Sequence, residues 1–137
     1  MTYLVERLAE LRRHVDHLRE LRPRVPDRYA LERDLSLHND VLFSLLMVSQ
    51  LVIDIAGELA ARRGDRFEDY TEAVQHLARD PKFPAELVAD LEPIPGFRNV
   101  VIHEYVALDL NRVVEAFGRL ESVERFMEIA RAIESAS

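Results

Sequence analysis

Cysteine is missing from all 137 residues, which removes disulfides, thiolate zinc sites and a cysteine nucleophile and is compatible with a reducing compartment. Lysine is nearly missing too: Lys82 is the single one among 18 basic residues. Arginine makes planar contacts with phosphate, but a genome rich in G and C accounts for the bias more readily. No long uninterrupted apolar run exists. The most apolar stretch, residues 41–61, is broken by Ser44, Ser49, Gln50, Asp54 and Glu58, which predicts a buried helix and no membrane span. The opening MTYLVERLAELRRH carries charges every few residues and does not read as a signal peptide. Strand-like alternation, internal repeats and low-complexity runs are all absent. A net charge of −7 opposes indiscriminate attachment to nucleic acid at long range. Against that trend, Arg12, Arg13, Arg19, Arg22, Arg24 and Arg28 outnumber the acids Asp16, Glu20 and Asp27 between them.

What is present is helical periodicity in a chain the length of one domain, residues 1–137, with the 48% hydrophobic and 31% charged content of a soluble fold. Leu4, Leu8, Leu11, Val15, Leu18 and Leu21 recur at steps of three and four, giving one apolar stripe that Pro23 and Pro26 end. Asp27 is placed to cap a second helix from Arg28 to Arg63, with Gly64 as its C-terminal stop. Unbroken, that helix would measure about 54 Å, long enough to bend or to meet a second subunit. A short helix is expected over Asp69–Asp80, another from Pro84, an interruption at Pro93 and Pro95, and a final long helix capped by Asp109. The expected architecture is an all-α, up-and-down helical bundle that forms a homodimer.

Within this pattern residues 96–105, GFRNVVIHEY, set an arginine, an asparagine, a histidine and a tyrosine among buried-type residues. The stretch resembles the R-x4-H-x-Y signature of HepT-like toxins, and the resemblance implies cleavage of RNA without a metal. That reaction requires a base for the 2′-hydroxyl, a cation for the charged phosphorane and an acid for the leaving 5′-oxygen. His103 suits the base or the acid, and Arg98 suits the transition state. One chain has one histidine here; a two-fold dimer would bring its copy opposite. On a regular helix Asn99 lies one turn from His103 and can hold the imidazole, and Arg98 and Tyr105, seven apart, share a side. Arg98 and His103 differ by about 140°. Either the arginine wraps around, or the cleft takes Arg98 from one chain and His103 from the other, the second being preferred. If Pro95 starts the helix, Arg98 falls in its first turn, where free amides favour a phosphate.

The spacing Arg98, four residues, His103, one residue, Tyr105 resembles the R-x4-H-x-Y signature of HepT-like toxins, a branch of the HEPN superfamily. YALERDLSL at 29–37, VIDIAGEL at 52–59, DYTEAVQHL at 69–77 and GFRNVVIHEYVALDL at 96–110 come in that family's order. The resemblance implies a metal-independent endoribonuclease toxin of a type VII-like toxin–antitoxin system, acting in the cytoplasm as a dimer without a cofactor. It also implies an MNT-type nucleotidyltransferase antitoxin that transfers AMP, with Tyr105 as acceptor and Arg98, Asn99 and His103 as site residues. The stretch EPIPGF departs from the family's continuous helix, so a kink is expected that would move Arg98 relative to His103. On that ground the alternative reading is a non-catalytic helical adaptor that binds a nucleotidyltransferase.

The remaining polar residues suggest less. HVDH at 14–17 lacks a third converging metal ligand, so His14 and His17 are expected to be solvated. HEY at 103–105 has no second histidine at zincin spacing, and His38 and His76 show no evident partners. Asp54, set among Val52, Ile53, Ile55 and Ala56, needs a cation or donors if buried; an arginine from another helix, or a contact with Arg98 or His103, would meet that need. The acidic face of the last helix, interleaved with arginines, is expected to be solvated and supported by ion pairs within the helix.

Overall fold

A computed structural model of the chain describes residues 2–136. Eight α-helices follow in order: α1 (Thr2–Leu21), α2 (Arg28–Arg33), α3 (Leu35–Arg62), α4 (Tyr70–Gln75), α5 (Ala85–Leu91), α6 (Pro93–His103), α7 (Leu110–Ala116) and α8 (Leu120–Ala136). Short 3-10 turns join several of them, and no strand occurs among the described residues. The all-α, up-and-down bundle is therefore what the chain forms. Its centre is α3, which packs on α1, α2, α4 and α6. By length and hydropathy α3 could cross a membrane, but 61% of its most apolar window is buried inside the bundle. It is the core helix.

Residue chemistry explains the element ends. Asp27, Asp69 and Asp109 each accept hydrogen bonds from backbone N–H groups of the following turn, a contribution of about 1 kcal/mol per cap. Gly64, at φ +76, closes α3: its own N–H bonds Ala61 O at 3.0 Å and that of Asp65 bonds Ala60 O at 2.9 Å. This paired closure needs a left-handed residue, which glycine adopts without steric cost.

The second helix differs from expectation. Asp34 is extended (φ −133, ψ 99) and its carboxylate accepts from Leu37 N at 3.1 Å, so the expected single rod is two helices, α2 and α3. A short polar side chain that competes for backbone donors starts a new helix there instead of continuing the old one. The prolines differ as well. Pro93 is the first residue of α6 and Pro95 the third, positions whose N–H groups have no helical partner in any case. They begin the helix, which then runs unbroken to His103. The interruption expected at the prolines falls between α5 and α6, at Glu92, and none separates Arg98 from His103; Arg98 lies in the second turn of α6, not the first.

The arginine-rich first segment is largely neutralised. Arg12 and Arg19 both bind Glu124 of α8, with Arg12 Nη1 at 3.0 Å and Arg19 Nε at 3.0 Å. Burial opposes the charge on Glu124, but the hydrogen bonds from Arg19 and Arg12 outweigh it and hold the carboxyl below its usual range. Arg62 of α3 reaches Glu134, and Arg125 reaches Glu86 of α5. On the acidic face of the last segment Glu115, Glu121 and Glu128 are exposed as expected, whereas Glu124 and Glu134 join α8 to α1 and α3. His14 and His17 are not simply solvated either. His14 Nδ1 lies 3.2 Å from Ser44 Oγ and His17 Nε2 2.8 Å from Asp40, both across to α3.

Candidate active site

The motif residues sit at the end of α6, which runs antiparallel to α3. Arg98 is half-buried and points toward α3: its Nε–H donates to Gln50 Oε1 at 2.8 Å and Nη1 donates to Asn99 Oδ1 at 3.0 Å. Gln50 Nε2 in turn donates to Asp54 Oδ1 at 2.8 Å. The orientation of the Gln50 amide follows from its neighbours: a guanidinium only donates and a carboxylate only accepts, so the oxygen must face Arg98 and the nitrogen Asp54. Asp54 therefore reaches Arg98, one of the partners foreseen for it, through one intervening side chain. Both groups that hold Arg98 are neutral amide oxygens. The arginine is fixed in place without a carboxylate to cancel its charge.

Asn99, expected to hold His103, is bonded to Arg98 instead. His103 is the last residue of α6, exposed, and makes no hydrogen bond among the described residues. The helix stops there because Glu104 takes φ −132, ψ 38, and Tyr105 begins a separate 3-10 turn, Tyr105–Ala107. The expectation that Arg98 and Tyr105 share one helix side fails for that reason. Tyr105 meets His38 of α3: its hydroxyl is 3.4 Å from Nδ1, and the rings are edge-on with centroids 5.9 Å apart. Since Gln50 and His38 are twelve residues apart on one helix, Arg98 and Tyr105 are anchored at points about 18 Å apart along α3.

A single chain therefore brings together Arg98 and Asn99, links Asp54 to them through Gln50, and leaves His103 at the end of α6 and Tyr105 beyond it, apart from Arg98. Gln50 and His38 escaped the sequence reading. Gln50 had a visible signal, a polar residue four before Asp54 inside an apolar run; His38 had none. No group of three or more His, Asp or Glu side chains gathers at metal-binding distance among the described residues. An open hollow of about 530 Å³, lined by Tyr70, Arg98 and Asn99 among others, adjoins the arginine.

With this geometry in place, residues 8–130 match the family described as Ribonuclease HepT-like. The chain belongs to that family. Among HepT-like relatives, the mRNA nuclease HepT of Shewanella oneidensis is 22% identical over 131 residues, covering 94% of this chain and 96% of the relative. Two solved structures share the fold. The tri-AMPylated HEPN toxin of Shewanella oneidensis in complex with an MNT antitoxin superposes with a TM-score of 0.82 at 22% identity, over 96% of this chain and 98% of that one. A toxin–antitoxin complex with AMP-PNP gives 0.80 at 20% identity, over 95% and 98%. The helical bundle of this HepT-like chain is thus that of HEPN toxins.

Proposed function

We propose that this chain, acting as a single domain over residues 1–137, is an endoribonuclease toxin that cuts RNA by transesterification in a cleft shared by two copies. The observation that carries the reading is the state of Arg98, immobilised by two neutral oxygens yet still bearing its full charge. A phosphodiester gains most from a cation that is already in position and not neutralised. In the reaction the 2′-hydroxyl attacks phosphorus, the bond from phosphorus to the 5′-oxygen breaks, and a 2′,3′-cyclic phosphate and a 5′-hydroxyl result. One His103 takes the 2′ proton, the partner copy protonates the 5′-oxygen, and Arg98 stabilises the phosphorane.

The face around the motif supports pairing. Val106, beside Tyr105, is 99% exposed and Ile102, beside His103, 43%, and α3 adds Leu35 at 71% and Phe43 at 58%. A two-fold contact makes such a patch self-complementary. The nucleotidyltransferase antitoxin of such pairs silences this chain by transferring AMP to Tyr105, whose ring is about half exposed. The setting is the cytoplasm, where RNA and ATP are both at hand. The adaptor alternative drew on the net charge of −7 and on a proline-disrupted motif; α6 carries the chain from Arg98 to His103 without a break, which favours the nuclease.

The test is RNA cleavage in EDTA. Arg98→Ala and His103→Ala should each lower the rate by about 10²–10⁴-fold. In dimers of wild type mixed with His103→Ala, activity should fall as the square of the wild-type fraction, since each cleft needs both imidazoles. A linear fall would sink the shared cleft, and intact RNA with the wild type would sink the nuclease.

A further inference from the structure

The hollow beside Arg98 has walls of three kinds. On one side is Tyr70, 44% exposed, with its ring 5.6 Å from the Arg98 guanidinium carbon. On another is the loop that leads into α4, and on the third α6 with Asn99. The loop is firmly held. Asp65 is clamped by Arg63 and Arg79 at 3.0 Å each, the Phe67 ring packs over Gly57 of α3, and Asp69 caps α4. Between those anchors the exposed carboxylate of Glu68 has no hydrogen-bond partner among the described residues. Across the hollow, Asn99 has its oxygen committed to Arg98, which leaves its amide N–H groups to donate.

We propose that this hollow, formed by Glu68, Tyr70 and Asn99 next to Arg98, holds the nucleobase flanking the scissile phosphate and selects guanine. The inference rests on Arg98 as the phosphate ligand. A single-stranded base is recognised by stacking on an aromatic face and by hydrogen bonds along its Watson–Crick edge. Tyr70 supplies the face, and at about 530 Å³ the space admits a base with its ribose. The polar groups then decide which base. Glu68 accepts two hydrogen bonds and Asn99 donates one. Guanine presents the complement, with N1–H and N2–H side by side for the carboxylate and O6 for the amide. Adenine, cytosine and uracil each have only one donor group on that edge.

The experiment measures binding of short fluorescent RNAs that differ at one base, with 2′-O-methyl sugars so that none is cut, to the wild-type dimer, Glu68→Gln and Tyr70→Ala. The wild type should prefer the guanine oligomer by about tenfold, and Glu68→Gln, isosteric at an exposed position, should erase that preference. Tyr70→Ala should weaken every oligomer by about tenfold. Equal affinities for all four bases, or base preferences untouched by Glu68→Gln, would overturn the proposal. Cleavable RNA assayed in EDTA separates the two readings. Cut sites that follow guanine support both, whereas a guanine preference with no cleavage leaves the pocket standing and removes the nuclease.

Discussion

Two surfaces of this bundle treat arginine in opposite ways. Where α1 meets α8, Arg12 and Arg19 share the carboxylate of Glu124. Where α6 meets α3, Arg98 is held by the amide oxygens of Gln50 and Asn99. Both arrangements fix a guanidinium. Only the first cancels its charge, and the charge is what a phosphate recognises. The first surface is tied by ion pairs, while the second ends in the exposed Ile102 and Val106 and in the His103 imidazole, which has no hydrogen-bond partner among the described residues. An arginine paired with a carboxylate serves the fold, and one paired with amides remains able to bind an anion.

The largest effect should come from breaking the second surface as an interface. Val106→Asp together with Phe43→Asp puts charge on two exposed positions and leaves the core untouched. Sedimentation should then show monomers, and RNA cleavage should fall by about a thousandfold through loss of the second imidazole. Monomers that still cut at the wild-type rate would show that one chain suffices.

Next in size is Gln50→Glu, which gives Arg98 a carboxylate partner of the structural kind. It should lower kcat by about a hundredfold, the scale of losing one charged stabiliser, while repulsion from Asp54, to which the Gln50 amide now donates, offsets any gain in melting temperature. Gln50→Leu, which frees the guanidinium without neutralising it, should cost less. If the two variants lose the same activity, placement matters and charge does not.

The smallest effect belongs to the first surface. Glu124→Gln should reduce stability by about 1–2 kcal/mol at neutral pH and leave cleavage per folded dimer unchanged. Because the native state holds the Glu124 carboxyl below its usual range, its contribution is full above the unfolded-state value and is lost as the pH falls through the native one. Thermal melts should therefore show wild type and variant converging in acid. A gap that persists there would mean the carboxylate stabilises by packing.

The sequence made the helices and the motif readable because both are local patterns. Leucine spacing gave α1, and the aspartate caps gave the starts of α2, α4 and α7. The errors fell where local rules compete or where contacts are distant. At Asp34 a mid-pattern aspartate capped a new helix without any glycine or proline to announce it. Pro93 and Pro95 did mark a helix boundary, but they open α6 and put no break between Arg98 and His103. The site was half legible. Arg98, His103 and Tyr105 could be named from spacing, but their partners Gln50 and His38 lie 48 and 67 residues away, and no periodicity encodes such pairings. The stop of α6 at His103 also went unseen, since IHEYVAL contains no residue that forbids a further turn.

The helix that anchors Arg98 is also the one around which the whole core is built. In many enzymes a loosely attached loop carries the reactive groups, and heat disables chemistry while the body is still intact. Here the scaffold of the guanidinium is the last part able to soften, so warming should extinguish catalysis and cooperative melting on a single curve. Heat alone then has no folded but idle form to produce, and a silent yet intact molecule has to come from a partner or a modification.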